Sequence, residues 1–243
     1  MIAKLQTLWQ EAFQETDAIL DAFFLNGFSP DRHHAIYEGD TPVSALYWFD
    51  CEFKGRKIAY IYAVATLKAH QGKGLATKLM HQTHEILKSK GYDGAILVPA
   101  GKNLFAFYEK LGYRTATGVE RLTCEAGGEP VALKESPAEE YARLRRGFLP
   151  EGGVIQEGAS LSFLSGFCKF YAGEGFVLSA DLEDGFLRVQ EFLGDPTLAP
   201  GILTALKAEK GRFRMPGTAQ NFGLFLPLQA DCPVPSYFGL ALD

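Results

Sequence analysis

The chain has 243 residues, 47% hydrophobic, 13% aromatic and 22% charged, the make-up of a globular protein with a core, which excludes a disordered, charge-rich chain. Set against ~150 residues for an average domain, that length predicts more than one compact domain and fewer than two. With 24 Lys and Arg against 29 Asp and Glu, the net charge of -5 provides no general attraction for nucleic acid or an anionic membrane, and neither is expected as a partner.

The first thirty residues place Leu5, Leu8, Trp9, Ala12 and Phe13, then Ile19, Leu20, Phe23 and Phe24, at helical spacing, with Glu15-Thr16-Asp17 as break and cap. Two short helices are predicted. The opening MIAKLQTLWQEAF lacks a basic start followed by an apolar signal core, and no apolar run approaches the ~20 residues that span a bilayer. Cys51, Cys124, Cys168 and Cys232 lie far apart with no CxxC pair, so a reduced, cytoplasmic protein is expected.

Three segments rich in β-branched and aromatic residues follow, Ala35–Glu38, Val43–Phe53 and Ile58–Thr66, separated by Gly39-Asp40 and Lys54-Gly55-Arg56. This is hairpin turn chemistry and predicts an antiparallel meander, in which Tyr47, Trp48 and Phe49 alternate faces and read as core. His33 and His34 fall in the loop before it. Leu75, Leu79, Met80, Ile86 and Leu87 then share one side of a helix that stops at Lys90-Gly91. His81, His84 and Glu85 lie on its polar face and are expected to meet solvent; His-x-x-His lacks the HExxH order, and no metal is expected.

Gly94–Pro99 reads as a short buried strand, Asn103–Leu111 as a second amphipathic helix stopped by Gly112, and Tyr113–Cys124 as one or two further strands. From Ala126 the composition turns to Gly, Pro, Glu and Arg around a charged helix, Pro137–Arg146, which reads as a connector. Beyond it, Gly175–Leu182 and Phe186–Leu193 form a hairpin across Glu183-Asp184-Gly185, followed by a helix Ile202–Lys210 and a strand Arg212–Met215. That order repeats the strand, strand, helix, strand order of residues 43–98 and predicts a degenerate duplication.

Chemistry concentrates between Tyr60 and Ala76, where a strand leads through a polar loop into a helix whose first turn holds Gly72 and Gly74. Glycine is less favourable than alanine in a helix by ~1 kcal/mol, so two of them ask for a reason. Unpaired N–H groups at the positive end of a helix bind phosphate when no side chain blocks the approach. A Walker loop needs a glycine where Leu67 stands and a Ser or Thr where Gly74 stands. A dinucleotide fingerprint from Gly72 needs a small residue where Thr77 stands, and follows a βαβ strand rather than a meander.

Gln71-Gly72-Lys73-Gly74-Leu75-Ala76 resembles the acetyl-coenzyme A loop of the GCN5-related N-acetyltransferases, Gln/Arg-x-x-Gly-x-Gly/Ala. In that family a strand runs into the loop, as Ile58–Thr66 does. A second strand, here Ala95–Val98, splays away so that pantetheine lies in the gap. A later helix ends in a phrase like Tyr-Glu-Lys-Leu-Gly-Phe, and this chain has Tyr108-Glu-Lys-Leu-Gly-Tyr113. The phrases YWFDCEF, YIYAVAT and FYEKLGY look like a bacterial branch of the family. The resemblance covers about residues 1–125 and implies an α/β (α+β) acyl-CoA N-acyltransferase (GNAT) fold, a mixed central sheet flanked by helices. The expected organisation is a GNAT domain at 1–125, a connector at 126–151 and a smaller, degenerate GNAT-like unit at 152–243.

The same resemblance implies that main-chain N–H groups of Gly72, Lys73, Gly74, Leu75 and Ala76, with the Gln71 side chain, hold the pyrophosphate of acetyl-coenzyme A, the cosubstrate. Main-chain groups of Val64 and Thr66 would pair with pantetheine as an extra strand and polarise the thioester carbonyl. Asn103 stands two residues after the family's helix-start asparagine, a position here held by Gly101, and is expected near the cofactor. Tyr108 matches the position whose hydroxyl protonates the leaving thiolate. Positions where relatives carry a base hold Tyr60 and Tyr62, which leaves water or a carboxylate such as Asp50 or Glu52 open.

The expected activity is acetyl transfer to a primary amine of an acceptor the sequence does not name, by direct attack in a ternary complex; the alternative is a non-catalytic acyl-CoA-binding sensor or assembly module. The second unit has no such loop, since Gly-Asp-Pro-Thr-Leu-Ala-Pro-Gly201 follows Leu193, and no second cofactor site is expected.

Overall fold

The computed structural model describes residues 2–241. They form two compact units, one made of residues up to Arg114 with Leu224–Pro233, the other of Thr115–Gly223 with residues from Val234 on.

The first unit opens with helices α1 (Ile2–Phe13) and α2 (Asp17–Ala22). Thr16 caps α2, its hydroxyl accepting from the Ile19 N–H, which satisfies one of the donors that a helix start leaves over. The meander follows as β1 (His33–Glu38), β2 (Thr41–Phe53) and β3 (Arg56–Thr66), all antiparallel. His33 and His34 are the first residues of β1 rather than part of a loop. Helix α3 (Leu75–Ser89) returns the chain so that β4 (Gly94–Leu97) pairs parallel to β3, and α4 (Lys102–Lys110) follows. The strand on the far side of β4 comes from more than a hundred residues later: Leu224–Pro227 pairs antiparallel from Leu224↔Leu97 to Pro227↔Gly94. Gly94 makes that pairing possible, because a Cβ there would meet the Phe225 ring at 2.4 Å.

Strand alternation gives this sheet two apolar faces. Leu46, Trp48, Ala59 and Ile61 pack under Leu79, Met80 and Leu87 of α3 together with Tyr108 and Leu111. On the opposite face Tyr47, Phe49, Tyr60 and Tyr62 form ring contacts with one another and with Trp9 and Phe23 from the N-terminal segment.

His84 departs from the expectation of solvent contact. It is buried, with Nε2 3.0 Å from the Tyr113 hydroxyl, so a side chain that reads as polar surface is a satisfied core residue. Burial, then the neighbouring His81, hold its pKa down to about 4. An unfolded histidine titrates near ~6.5, so between those values the unfolded chain binds a proton that the folded chain does not. Stability therefore falls as the pH drops from ~6.5 toward ~4. Urea midpoints measured across that range should show the slope, and His84→Gln should flatten it; a slope unaltered in the variant would assign it to another group.

A two-residue strand, β5 (Arg114–Thr115), straddles the boundary and ends the first sheet beside Leu224–Pro227; the second unit continues with β6 (Gly118–Glu125), β7 (Leu133–Ser136), α5 (Ala138–Phe148), β8 (Ile155–Gln156) and α6 (Ala159–Leu164). Then come β9 (Lys169–Gly173), β10 (Phe176–Glu183), β11 (Phe186–Leu193), α7 (Ala199–Leu206), β12 (Lys210–Pro216) and β13 (Gln220–Asn221). The sheet order is β13-β6-β12-β11-β10-β9-β7. Here β10 and β11 are antiparallel and β11 and β12 parallel, the pairing of β2, β3 and β4 repeated. One face packs on α7 through Leu187, Val189, Phe213, Ile202 and Leu203; the other carries Tyr141, Leu161, Val177 and Leu193.

Residues 126–151 lie inside this unit: β7 is an edge strand beside β9, and α5 packs on the sheet through Tyr141, Ala142 and Arg145. Helix α7 runs Ala199–Leu206, three residues earlier than the apolar spacing from Ile202 suggests. Pro200 fits its first turn, where no N–H is needed, and Lys207 closes it in the left-handed conformation, leaving Lys210 to open the strand.

Candidate active site

β3 and β4 pair at Ile58↔Gly94, Ala59↔Ala95 and Tyr60↔Ile96, and there the pairing ends. Beyond Tyr60, among the described residues, β3 has no partner on that edge. On its other edge Ala45 faces Ala65 while Tyr47 faces Tyr62, so β3 carries one residue more than β2. This is a β-bulge, and Ala63 sits in it with φ at 49°. The left-handed conformation costs a non-glycine residue ~1–2 kcal/mol, which the surrounding ladder must hold in place. The bulge turns the end of the strand, Val64 to Thr66, into the opening between β3 and β4.

The chain then tightens into the glycine loop. Gln71 Nε2 donates to the carbonyl of Thr66 at 3.2 Å and straps the loop to the strand end. Gly72 and Gly74 have φ of 74° and 76°, and a Cβ on either would meet nothing within 4 Å. Their lack of side chains thus serves the left-handed backbone and keeps open the space above it. Gly74 caps α3 without any side-chain hydrogen bond, and the first helical N–H to find a partner is that of Lys78, which donates to the Gly74 carbonyl at 3.0 Å. The N–H groups of Leu75, Ala76 and Thr77 face outward at the positive end of the helix.

A cleft of about 400 Å³ lies over these groups. It is lined by Val64 and Thr66 of β3, Gln71, Gly72 and Gly74 of the loop, Leu75 and Ala76 of α3, and Tyr108 of α4. Lys73 and Asn103 are not among the lining residues. Asn103 lies in the first turn of α4, where its Oδ1 would be 2.8 Å from a Cβ on Gly101, so it folds back over its own helix start. His70, Thr77, Leu104 and Phe107 also line the cleft and escaped the sequence reading. The spacing of Leu104 from Tyr108, one helical turn, is the signal that could have found it.

Tyr108 is 8% exposed and packs edge-on against Phe107 and Tyr113 at ring distances of 5.0 and 6.0 Å. Among the described residues its hydroxyl has no hydrogen-bond partner. Burial pushes the phenol up to about 12, so it remains a proton donor throughout the neutral range. Neither Asp50 nor Glu52 lines the cleft; Asp50 accepts from Tyr92 and pairs with Arg32 at 3.2 Å. Tyr62 lies within the aromatic face, where burial raises its hydroxyl further from any role as a base. No cluster of three or more metal-ligating side chains occurs among the described residues, and no helix among them is long and apolar enough to cross a membrane.

An unpaired strand edge, an uncapped helix start behind a glycine loop, and an unpartnered phenol on one cleft fit a ligand that is extended at one end and phosphorylated at the other. This is the architecture of the acyl-coenzyme A-dependent N-acyltransferases. Residues 2–116 match the family described as Acetyltransferase (GNAT) domain, so this part of the chain is a GCN5-related N-acetyltransferase domain.

Solved structures carry the likeness across both units. A GCN5-related N-acetyltransferase from Kribbella flavida aligns at 18% identity with a TM-score of 0.71, covering 94% of this chain and 69% of that one. A GCN5-related N-acetyltransferase from Anabaena variabilis aligns at 14% identity and a TM-score of 0.71, covering 94% and 70%. A tandem GNAT protein from the clavulanic acid biosynthesis pathway aligns at 8% identity and a TM-score of 0.55, covering 95% of this chain and 96% of its own. These are likenesses of fold. No curated protein matches the sequence.

Proposed function

We propose that the first unit transfers an acetyl group from acetyl-coenzyme A to a primary amine, by direct attack of the amine in a ternary complex. The observation that carries this reading is the convergence on one cleft of the unpaired end of β3, the open N–H row of α3 and the hydroxyl of Tyr108. Acetyl-coenzyme A supplies an acyl group activated as a thioester, whose carbon–sulfur bond breaks as the nitrogen–carbon bond forms.

The protein's part is positioning and proton transfer. Main-chain groups of Val64 and Thr66 hold the pantetheine arm in strand fashion and polarise the thioester carbonyl, while N–H groups from Gly72 to Ala76 hold the pyrophosphate. Gln71 acts through its bond to Thr66, fixing the loop against the strand end. Tyr108 gives its proton to the departing thiolate, and the proton lost by the amine passes to water. Lys73 contributes charge from the loop, and Asn103 is left with a role at the start of α4. We place this activity in the cytoplasm, in keeping with four cysteines that are all thiols.

Calorimetry with coenzyme A tests the cofactor half of the reading. The expected result is saturable binding that weakens more than tenfold in Gly74→Arg, whose side chain would enter the open space above the loop at a φ of 76°. Equal affinity in the variant would remove the loop from the site.

One observation favours the non-catalytic alternative, a sensor of acyl-coenzyme A: among the described residues no carboxylate lines the cleft to serve as a strong base. Screening thiol release from acetyl-coenzyme A against a panel of amines separates the two. Release that depends on particular amines supports the transferase; coenzyme binding with no amine-dependent release supports the sensor.

A further inference from the structure

A pyrophosphate brings concentrated negative charge into the cleft of the first unit, and the side chains around it supply little to meet it. Among the described residues that line the cleft, His70 is the one able to carry a positive charge; no Lys or Arg is among them. The chain as a whole, at a net charge of -5, has no background of cations to make up the difference.

His70 closes the short helical turn Lys68–His70, immediately ahead of Gln71 and the glycine loop. Local bonds hold that turn in place. The His70 N–H donates to the Leu67 carbonyl at 2.8 Å, and Glu11 of α1 accepts from the Lys68 N–H at 2.7 Å. The ring is fixed from one side, with Nε2 at 3.1 Å from Oε2 of Glu38, the last residue of β1. A carboxylate only accepts, so Nε2 carries a hydrogen and the variable nitrogen is Nδ1. Nδ1 is buried and, among the described residues, has no hydrogen-bond partner, a costly condition for a polar atom.

Imidazole is the side chain that gains or loses a proton near neutral pH, and it is a cation only with hydrogens on both nitrogens. An anion at each nitrogen favours that form. Glu38 is one of them, but at 62% exposure it is screened by water and contributes little by itself. A pyrophosphate on the adjoining N–H row of Gly72–Ala76 would be the second. The pantetheine arm is neutral and meets main-chain groups, so it makes no use of a cation. The other charged groups of the surrounding elements are Glu11, bound to the Lys68 N–H, Lys68 itself and Lys73, while Tyr108 is the remaining titratable side chain of the cleft.

We infer that His70 is a further binding residue for the cosubstrate: its Nδ1–H donates to a pyrophosphate oxygen, and the ring takes up a proton from solvent as the ligand binds. The inference rests on the reading of this cleft as the acyl-coenzyme A site. Glu38 is a positioning residue, which orients the ring through Nε2 and supports its charge. Affinity is then greatest where imidazole is protonated and declines as the pH rises.

Calorimetry of the full chain with dephospho-coenzyme A tests this, because that probe keeps the pyrophosphate and lacks the phosphomonoester, which itself titrates near ~6. Wild-type affinity should decline about tenfold from ~pH 6 to ~pH 8, the scale of one hydrogen bond to a charged group. At neutral pH the binding enthalpy should differ between HEPES and Tris in the direction of proton uptake. His70→Gln should bind about tenfold more weakly at the acid end, with neither the decline nor the buffer dependence. Glu38→Gln keeps an acceptor for Nε2 without its charge and should move the decline to lower pH, which tests the coupling even if circular dichroism shows His70→Gln misfolded. Absence of dephospho-coenzyme A and coenzyme A binding to the wild-type chain would overturn the reading of the cleft and this inference together. Binding without proton uptake, or a pH dependence that persists in folded His70→Gln or stays unshifted in Glu38→Gln, would overturn this inference alone.

Discussion

Glu191→Ala is expected to destabilise the protein by about 3–5 kcal/mol, the range found when one partner of a fully buried ion pair is removed and the other charge is left behind. Glu191 is 0% exposed and Arg145 1%. The carboxylate accepts from Arg145 Nε and Nη2 at 2.5 and 2.8 Å, and from the hydroxyls of Tyr141 and Tyr237 at 3.0 and 2.9 Å, so all its partners lie in one closed network. Burial works to lower the pKa of the Arg145 guanidinium, and the Glu191 carboxylate outweighs it, so the net shift is upward and the group stays charged. Alanine would strand that charge and orphan two hydroxyls. Gly239 is part of the same arrangement, because a Cβ on it would lie 1.8 Å from Glu191 Oε1. Urea unfolding followed by circular dichroism measures the effect. A loss under ~1 kcal/mol would show that the network is incidental to stability. Replacing Arg145 and Glu191 together by Met and Leu should recover part of the loss, since no uncompensated charge then remains, though Tyr141 and Tyr237 still lack an acceptor.

Tyr108→Phe should lower turnover about a hundredfold or more, at the lower end of the ~10²–10⁴ that a positioned proton donor contributes, with coenzyme A affinity little changed. The separation of the two readouts is the point. The ring makes the contacts with Phe107 and Tyr113 and lines the cleft, and phenylalanine keeps them; only the hydroxyl, which has no partner among the described residues, is removed. Because burial holds the phenol up to about 12, the acid limb of the activity should show no ionisation of Tyr108 below neutral pH. A variant with undiminished kcat would end the assignment of Tyr108 as the acid. One that lost affinity and turnover together would make it a packing residue of the cleft.

The glycine loop, the meander and the helix around Tyr108 were legible because each rests on local chemistry: turn residues, apolar period, and a motif whose glycines have one physical purpose. What stayed hidden depends on contacts between distant residues. Ala63 carries no mark of a left-handed bulge, since alanine is ordinary in a strand and only the register with β2 forces the conformation. His84 reads as surface because its partner, the Tyr113 hydroxyl, is 29 residues away. Arg145 sits in a stretch so charged that it reads as a linker, yet it is buried by a carboxylate 46 residues further on. Leu224–Pro227 is too short to signal its place, and its role is set by the open edge of β4 and the bare surface of Gly94.

That last strand bears on how the protein is made. α1 to α4 leave the ribosome with β4 unpaired on its outer edge, and the segment that pairs there follows more than a hundred residues later. At ~5–20 residues per second the delay is on the order of 5–20 s, long compared with the folding of a small domain. During that interval the nascent first unit presents a strand edge open to pairing with another chain. Its sheet is finished only when Leu224–Pro227 has been made, so translation speed through the second unit sets how long the first unit stays exposed before it closes.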